Sequence, residues 1–277
     1  MRLISICPSN TELLAYLGLE QSLVGIDDYS DWPSHIQTLP RLGPDLSINI
    51  DKVEELKPDL VLASLSVPGM EKNIEELKKR NIPHIVLNPQ SLDDIAEDLL
   101  LVGKRTGTAE IAEKIVKHYR HFISNYQAYT DRVNTISSLY WEWWPKPIFS
   151  PGGVNWLTEI SSLAGAQNVF SHVKVASHQT NWEEIVSLDP DHICLVWVGV
   201  EQKKMNPALV RKRPGAEKMQ AMINNQIHIL DEPLYCRPSP RLLLGLKKLA
   251  SLLHPSVFPA DDGVDPLLSH LEKKRSS

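Results

Sequence analysis

The sequence predicts an α/β protein of two lobes, each a mainly parallel sheet flanked by helices, with one long helix joining them. Three observations carry this prediction. First, one segment is written twice, as Ile50-Asp-Lys-Val-Glu-Glu-Leu-Lys-Pro-Asp-Leu-Val-Leu-Ala63 and as Trp182-Glu-Glu-Ile-Val-Ser-Leu-Asp-Pro-Asp-His-Ile-Cys-Leu195. In register Asp51 meets Glu183, Leu56 meets Leu188, Pro58 meets Pro190 and Asp59 meets Asp191. Second, short apolar strand-like runs alternate with helical patterns, which argues for parallel sheets. Third, from Ala109 to Tyr129 the apolar positions Ile111, Ile115, Tyr119, Phe122 and Tyr126 recur at three and four residue spacing with no Gly or Pro, the pattern of an amphipathic helix. At about 1.5 Å per residue it extends roughly 30 Å, the width of a small domain. One supersecondary unit used in two lobes implies a cleft, and a cleft implies a ligand.

The elements follow in order. Leu3 to Cys7 is a strand-like run ending at Pro8, and Ser9-Asn-Thr-Glu12 fits a capping box before the helical Leu13-Leu-Ala-Tyr-Leu17. Gly18 closes that helix, and Leu23 to Ile26 is the next strand, before the turn-rich Asp27-Asp-Tyr-Ser-Asp-Trp-Pro33. The first repeat copy then gives a helix over Asp51 to Leu56, a stop at Lys57-Pro58 and a strand from Leu60 to Ala63. Glu71 to Arg80 is helical in pattern, His84 to Leu87 strand-like, and Ser91 opens a further helix. After the long helix come Ser137 to Trp141, the proline-broken Trp143-Trp-Pro-Lys-Pro147, Val154 to Leu163, Val169-Phe170 and the second repeat copy. Gln226 to Leu230 is a last strand, and Ser239-Pro240 provides cap and first position for a helix from Arg241 to Leu253. The expected division is an N-terminal lobe over 1–106, a bridging helix over 107–130, a C-terminal lobe over 131–259 and a polar extension over 260–277.

Composition narrows the class. The 277 residues suffice for two cores, and 42% hydrophobic with 23% charged residues is globular usage. A net charge of −5 and a pI near 6.1 give no electrostatic reason to expect nucleic acid or an anionic membrane. Cys7, Cys194 and Cys236 are scattered, without C-x-x-C spacing, so neither a disulfide framework nor a zinc knuckle is indicated. No run approaches the roughly 20 apolar residues of a membrane span, and the N-terminus carries no export signal as written.

Several residues have functional and structural readings side by side. Asp51 and Glu183 each stand two residues after an Asn, Asn49 or Asn181, able to cap a helix, and an acid in a first turn complements the macrodipole by roughly 0.3–1 kcal/mol. On the residues alone that account suffices. Asn10 lies in a turn at a strand's carboxyl end, where open α/β sheets bind ligands. Glu12 is expected as a capping group. Tyr140, Trp141, Trp143, Trp144, Phe149 and Trp156 crowd one segment broken by prolines, and Tyr29 and Trp32 occupy a loop of the first lobe. Trp141 and Trp197 are expected to pack within the protein, whereas Tyr29, Trp144 and Phe149 offer flat surface for a large amphipathic ligand. Arg237, in Tyr235-Cys-Arg-Pro-Ser-Pro240, suits an anionic or amide group of a ligand or a surface ion pair. His118 and His121 are three apart without a third ligand, so no metal site is expected. The chain has no G-x-G-x-x-G, P-loop, G-x-S-x-G or H-E-x-x-H. Binding without chemistry and without a cofactor is therefore the leading class, and no enzyme is expected.

Pro8-Ser-Asn-Thr-Glu-Leu13, Val24 to Pro33, Asn49 to Ala63, Asn168-Val-Phe170 and Arg237-Pro-Ser-Pro-Arg241 together resemble the cobalamin binders within the substrate-binding family for iron-siderophores, haem and cobalamin. The similarity runs over nearly the whole chain, about Leu3 to Leu253. It implies two Rossmann-like lobes bridged by a rigid helix, a ligand held between them, and delivery to an ABC importer whose membrane subunits meet one surface acid on each lobe. Those acids correspond to Asp51 and Glu183, so the resemblance favours docking as their role. Tyr29, Phe149 and Arg237 match ligand-contact positions of the family, and Gln179 lies on the corresponding loop. At Asp45, Ser64 and Ser177 the enterobacterial cobalamin binders carry tryptophans, so aromatic contacts must come from elsewhere, with Trp143 and Trp144 at hand.

The expected function is thus non-enzymatic binding of cobalamin or a related corrinoid, by a monomer, for an ABC transporter. A ferric-siderophore or haem binder of the same family is the alternative, and an intracellular corrinoid-handling protein or enzyme on the same fold is a third. The resemblance implies an extracytoplasmic place, periplasmic or cell-surface, while the missing export signal leaves the cytoplasm open.

Overall fold

The computed structural model describes residues 1–268 and divides into two compact units, one of residues 1–120 with 238–240, the other of the remainder. The chain passes from the first unit to the second inside one helix. The last residues of the polar extension expected over 260–277, those from 269 onward, lie outside the described residues.

In the first unit β1 (Leu3–Ser5), α1 (Pro8–Tyr16), β2 (Leu23–Ile26), α2 (Ile50–Glu55), β3 (Leu60–Ser64), α3 (Glu71–Lys79), β4 (His84–Leu87) and α4 (Leu92–Thr106) alternate. The four strands form one parallel sheet in the order β2-β1-β3-β4. Its strands are short apolar runs, and Ile4, Ile6, Val61 and Ala63 pack with Ile48, Ile50, Val53, Ile74 and Leu77 of the covering segments. Parallel strands buried on both faces read as continuous hydrophobic runs, as these do. Ser91 and Asp94 make the capping box that starts α4, and Gly107 ends it in the left-handed conformation that glycine adopts without steric cost.

Then comes α5 (Ala109–Thr130). Of the positions the spacing predicts, Ile115, Tyr119 and Tyr126 are buried, joined by Ala112 and Val116, whereas Ile111 is exposed at the edge of the stripe.

The second unit contains β5 (Ser137–Glu142), β6 (Trp144–Pro145), β7 (Ile148–Pro151), α6 (Trp156–Leu163), β8 (Ala166–Asn168), β9 (Ser177–Thr180), α7 (Trp182–Leu188), β10 (His192–Leu195), α8 (Pro207–Arg211), α9 (Gln220–Ile223), β11 (Ile227–Ile229) and α10 (Leu242–Leu253). Its parallel sheet runs β11-β10-β5-β8. Setting β5 beside β1 and β10 beside β3 makes this the same strand order as in the first unit. A small antiparallel sheet, β6-β7-β9, is added to the second unit only.

The repeat is preserved down to single bonds. Asn49 accepts a hydrogen bond from the Lys52 amide at 3.0 Å and Asn181 one from the Glu184 amide at 2.9 Å, so both copies open with the same cap. Both close on a non-glycine residue at positive φ followed by proline, Lys57 at 47° before Pro58 and Asp189 at 42° before Pro190. Asp59 then accepts from the Arg2 amide at 2.6 Å and Asp191 from the Ser138 amide at 2.7 Å. Each aspartate thereby ties the repeat to the start of its own central strand, which is why this residue type recurs.

Two capping expectations are corrected. The first helix begins at Pro8, with Cys7 as its cap and no side-chain capping bond, so Ser9 to Glu12 lie inside it. Proline at the first helical position is favoured because its missing N–H has no partner there anyway, and that signal outweighs the Ser-x-x-Glu pattern. Nor does Ser239 cap α10, which Arg241 precedes without a side-chain bond. The Ser239 hydroxyl instead donates to the Glu12 carboxylate.

Candidate functional site

The antiparallel sheet brings three of the predicted ligand residues into one row. Trp144 of β6 lies opposite Phe149 of β7, and Phe149 lies opposite Gln179 of β9. Directly opposed residues in an antiparallel ladder project from the same face, close enough to touch. The neighbouring pair, Ser150 and His178, therefore takes the other face, where the His178 ring sits 4.8 Å from Phe170 in the core. With that face packed inward, the Trp144 row faces out. Trp144 is 42% exposed, Gln179 exposed and Phe149 half-buried. Trp144 is steadied by its own indole N–H, which donates to the Lys146 carbonyl at 3.0 Å. Trp143 packs on Trp156 at 6.1 Å, and Trp141 and Trp197 are buried, as their strand positions predict.

Just before the row in the chain lies a buried polar cluster that the sequence does not announce. Glu142, two residues before Trp144, is fully buried and accepts from the Tyr140 hydroxyl at 2.9 Å, the Trp197 indole at 3.1 Å and two Arg213 nitrogens at 2.5 and 2.9 Å. A buried carboxylate is tolerated when its lone pairs are filled in this way. Arg213 also lies over the Trp182 ring at 4.8 Å, and the Trp182 indole donates to the Pro214 carbonyl at 2.8 Å. The same cluster therefore holds the start of α7, the helix that carries Glu183.

In the first unit Tyr29 is 52% exposed on the loop after β2. That loop is built on Asp27, a buried carboxylate that accepts from the Tyr29 amide at 2.8 Å, the Ser30 amide at 3.0 Å and the Ser30 hydroxyl. Burial is the largest effect on this carboxyl and pushes it up to about 6, against the hydrogen bonds from Ser30 and Tyr29 that favour its charged form. Thr11 links Ser5 and Ser30, each at 2.7 Å, and Arg41 clamps the Asp27 and Ser30 carbonyls at 2.8 and 2.7 Å. The Asp27-Asp-Tyr-Ser30 turn is a signal that sequence reading could have used, because an aspartate commonly bonds the amide two residues on, here that of Tyr29.

Asn10 is corrected. It lies within α1, is 1% exposed, and its amide donates to the Ala63 carbonyl at 3.0 Å. The side chain serves to hold α1 against the end of β3. Arg237 is buried and ion-paired with Glu232 at 3.4 Å. Beside it, the Cys236 thiol donates to the Val196 carbonyl at 3.5 Å, burial pushes the thiol well up, and no cluster of three metal-binding side chains occurs among the described residues.

Asp51 and Glu183 occupy first turns of α2 and α7, both exposed. Asp51, 74% exposed at its side chain, pairs with Arg80 at 2.5 Å, and Arg80 reaches Glu54 at 3.0 Å. Asp51 and Arg80, with Ser47, Asn49 and Glu76, line a shallow open depression of about 440 Å³. Glu183 has no such partner among the described residues, and none of their helices is long and apolar enough to cross a membrane.

Two α/β units of one strand order, with an outward aromatic row, define a class of ligand-binding protein. The chain belongs to the periplasmic binding protein family, whose model matches residues 3–234. A substrate-binding lipoprotein of an ABC transporter, the uncharacterised YvrC of Bacillus subtilis, is 30% identical over 93% of this chain and 81% of its own length. A vitamin B12-binding protein of Vibrio cholerae is 26% identical over 91% of this chain and 88% of its own. The solved periplasmic haem-binding protein of Pseudomonas aeruginosa superposes with a TM-score of 0.80, covering 96% of both chains at 22% identity, a likeness of fold. The family is one of substrate-binding proteins and not of enzymes.

Proposed function

We propose that this protein binds cobalamin or a related corrinoid and hands it to the membrane subunits of an ABC importer. The observation that carries this reading is the outward row of Trp144, Phe149 and Gln179, which offers two flat apolar surfaces beside an amide. A large amphipathic macrocycle with amide side chains suits such a row, since aromatic faces cover its apolar area and an amide matches its polar rim. Tyr29, exposed on the first unit, stays in the proposal as a ligand residue on the strength of the resemblance, and the vitamin B12-binding relative supports the choice of cargo. Arg237 serves the reading differently from the resemblance: paired with Glu232, it braces the loop ahead of α10.

Haem or a ferric siderophore is the second reading, favoured by the haem-binding structural neighbour. Such anionic cargoes call for cations, and the pairing of Arg237 with Glu232 weighs against them. Asp51 and Glu183 are the docking acids in this proposal, one on each unit. The lipoprotein relative supports an extracytoplasmic place of work. Titration of the purified protein with cyanocobalamin and with haemin, followed by absorbance and calorimetry, tests the reading. Saturable binding of cyanocobalamin alone supports it, and binding of haemin alone replaces it with the second.

A further inference from the structure

His192 and His228 stand side by side on the second sheet, away from the aromatic row. The register pairs Cys194 of β10 with His228 of β11, and His192 lies two residues before Cys194. Side chains alternate along a strand, so both imidazoles project from one face. His192 Nδ1 and His228 Nε2 are 3.1 Å apart, with ring centroids 5.3 Å apart and planes inclined at 29°. Both rings are half-buried and keep a route to solvent.

Two nitrogens bound to one ion at about 2.0–2.1 Å lie roughly 2.9–3.4 Å apart when the angle at the metal is between 90° and tetrahedral. The observed separation falls inside that interval. Burial is the largest effect on both rings and disfavours their charged forms, with His192 adding to it at His228 and His254 at His192. The other titratable groups facing the pair are Asp191, whose carboxylate is held by the Ser138 amide and hydroxyl at 2.7 and 2.8 Å, and His254, whose Nε2 is 2.9 Å from the Gly165 carbonyl.

We propose that His192 and His228 form a two-histidine chelate for a divalent transition-metal ion, with water completing the coordination. The ion displaces the hydrogen bond between the rings: the ring that donates it carries its proton on its other nitrogen instead, so that both facing nitrogens give a lone pair to the metal. Imidazole donors select zinc, copper or nickel over magnesium and calcium. Among the described residues no third metal-binding side chain joins the pair, so the site is open-sided and exchanges its ion readily.

Calorimetric titration of the full chain, freed of metal with a chelator, with zinc ions alone tests this. One equivalent is expected to bind, with His192→Asn and His228→Asn each weakening binding about tenfold or more, as loss of a single supporting group already does at metal sites. His118→Asn and His121→Asn are expected to leave it unchanged. Copper titration of the unaltered chain, read by electron paramagnetic resonance, is expected to show coupling to two nitrogens and needs no variant to fold. Absence of zinc binding, unaltered binding by His228→Asn, or a copper signal without two coupled nitrogens overturns the proposal.

Discussion

Asp51 and Arg80 are joined by an ion pair at 2.5 Å that has no counterpart at Glu183 among the described residues, although the two acids occupy equivalent first turns behind equivalent asparagine caps. If both acids meet basic groups of a membrane partner, the first must exchange Arg80 for that group, whereas the second is ready. The expected outcome is that Arg80→Ala strengthens docking and that Asp51→Ala with Glu183→Ala abolishes it, leaving ligand affinity intact. Transport assays in vesicles carrying the importer check this. Thermal stability is expected to change little in Arg80→Ala, since exposed pairs are well screened.

The aromatic row makes a sharper prediction. Trp144→Ala and Phe149→Ala should each weaken cyanocobalamin binding about tenfold or more, the effect of removing a central aromatic contact. Gln179→Leu should act more mildly. Circular dichroism should be unchanged, because the row faces away from the core that His178 and Phe170 share.

Loss of Arg213 should be felt in stability. Arg213→Met leaves the fully buried Glu142 carboxylate with only the Tyr140 and Trp197 donors, and breaking a buried pair on one side costs about 3–5 kcal/mol. Urea denaturation measures it. The double variant Glu142→Gln with Arg213→Met should recover part of the loss, because no charge is then left unpaired.

Asp27 gives a pH dependence with a definite sign. Its carboxyl is raised to about 6 in the folded protein, so the folded state holds this proton more tightly than the unfolded chain does. The contribution to stability is present in full below the ordinary carboxylate range and is lost as pH rises through about 6. At about 1.4 kcal/mol per unit, the difference in unfolding free energy between the parent protein and Asp27→Asn should shift by up to about 3 kcal/mol in favour of the parent between pH 7 and pH 4. A difference that stays flat over that range contradicts the assignment.

The parts of this protein that could be read from its sequence are those fixed by neighbours in the chain. The repeat was legible because its caps and its stop before proline act within a dozen residues, and the alternation of strands and helices followed from apolar runs between turns; its aspartate tie, across 57 and 53 residues, was not. The helix start at Pro8 was misplaced because Ser9 and Glu12 form a plausible local box, while the partner Glu12 takes is Ser239, from the far end of the sequence. The site was half legible. Trp144, Phe149 and Gln179 stood out by residue type, but the row they form depends on the pairing of Phe149 with Gln179, strands far apart in the sequence. Arg80 with Asp51, and Arg213 with Glu142, are pairings over 29 and 71 residues that no local pattern encodes. Asn10 failed for the opposite reason: a polar residue at a strand end suggests a ligand, and here the backbone of Ala63 claims it.

The central claim, that the exposed aromatic row receives a corrinoid, is tested most directly by calorimetric titration of the purified chain with cyanocobalamin, run in parallel on Trp144→Ala. Saturable one-to-one binding by the parent protein, weakened about tenfold or more in the variant, is the predicted result. No binding by the parent, or equal binding by the two, would contradict it.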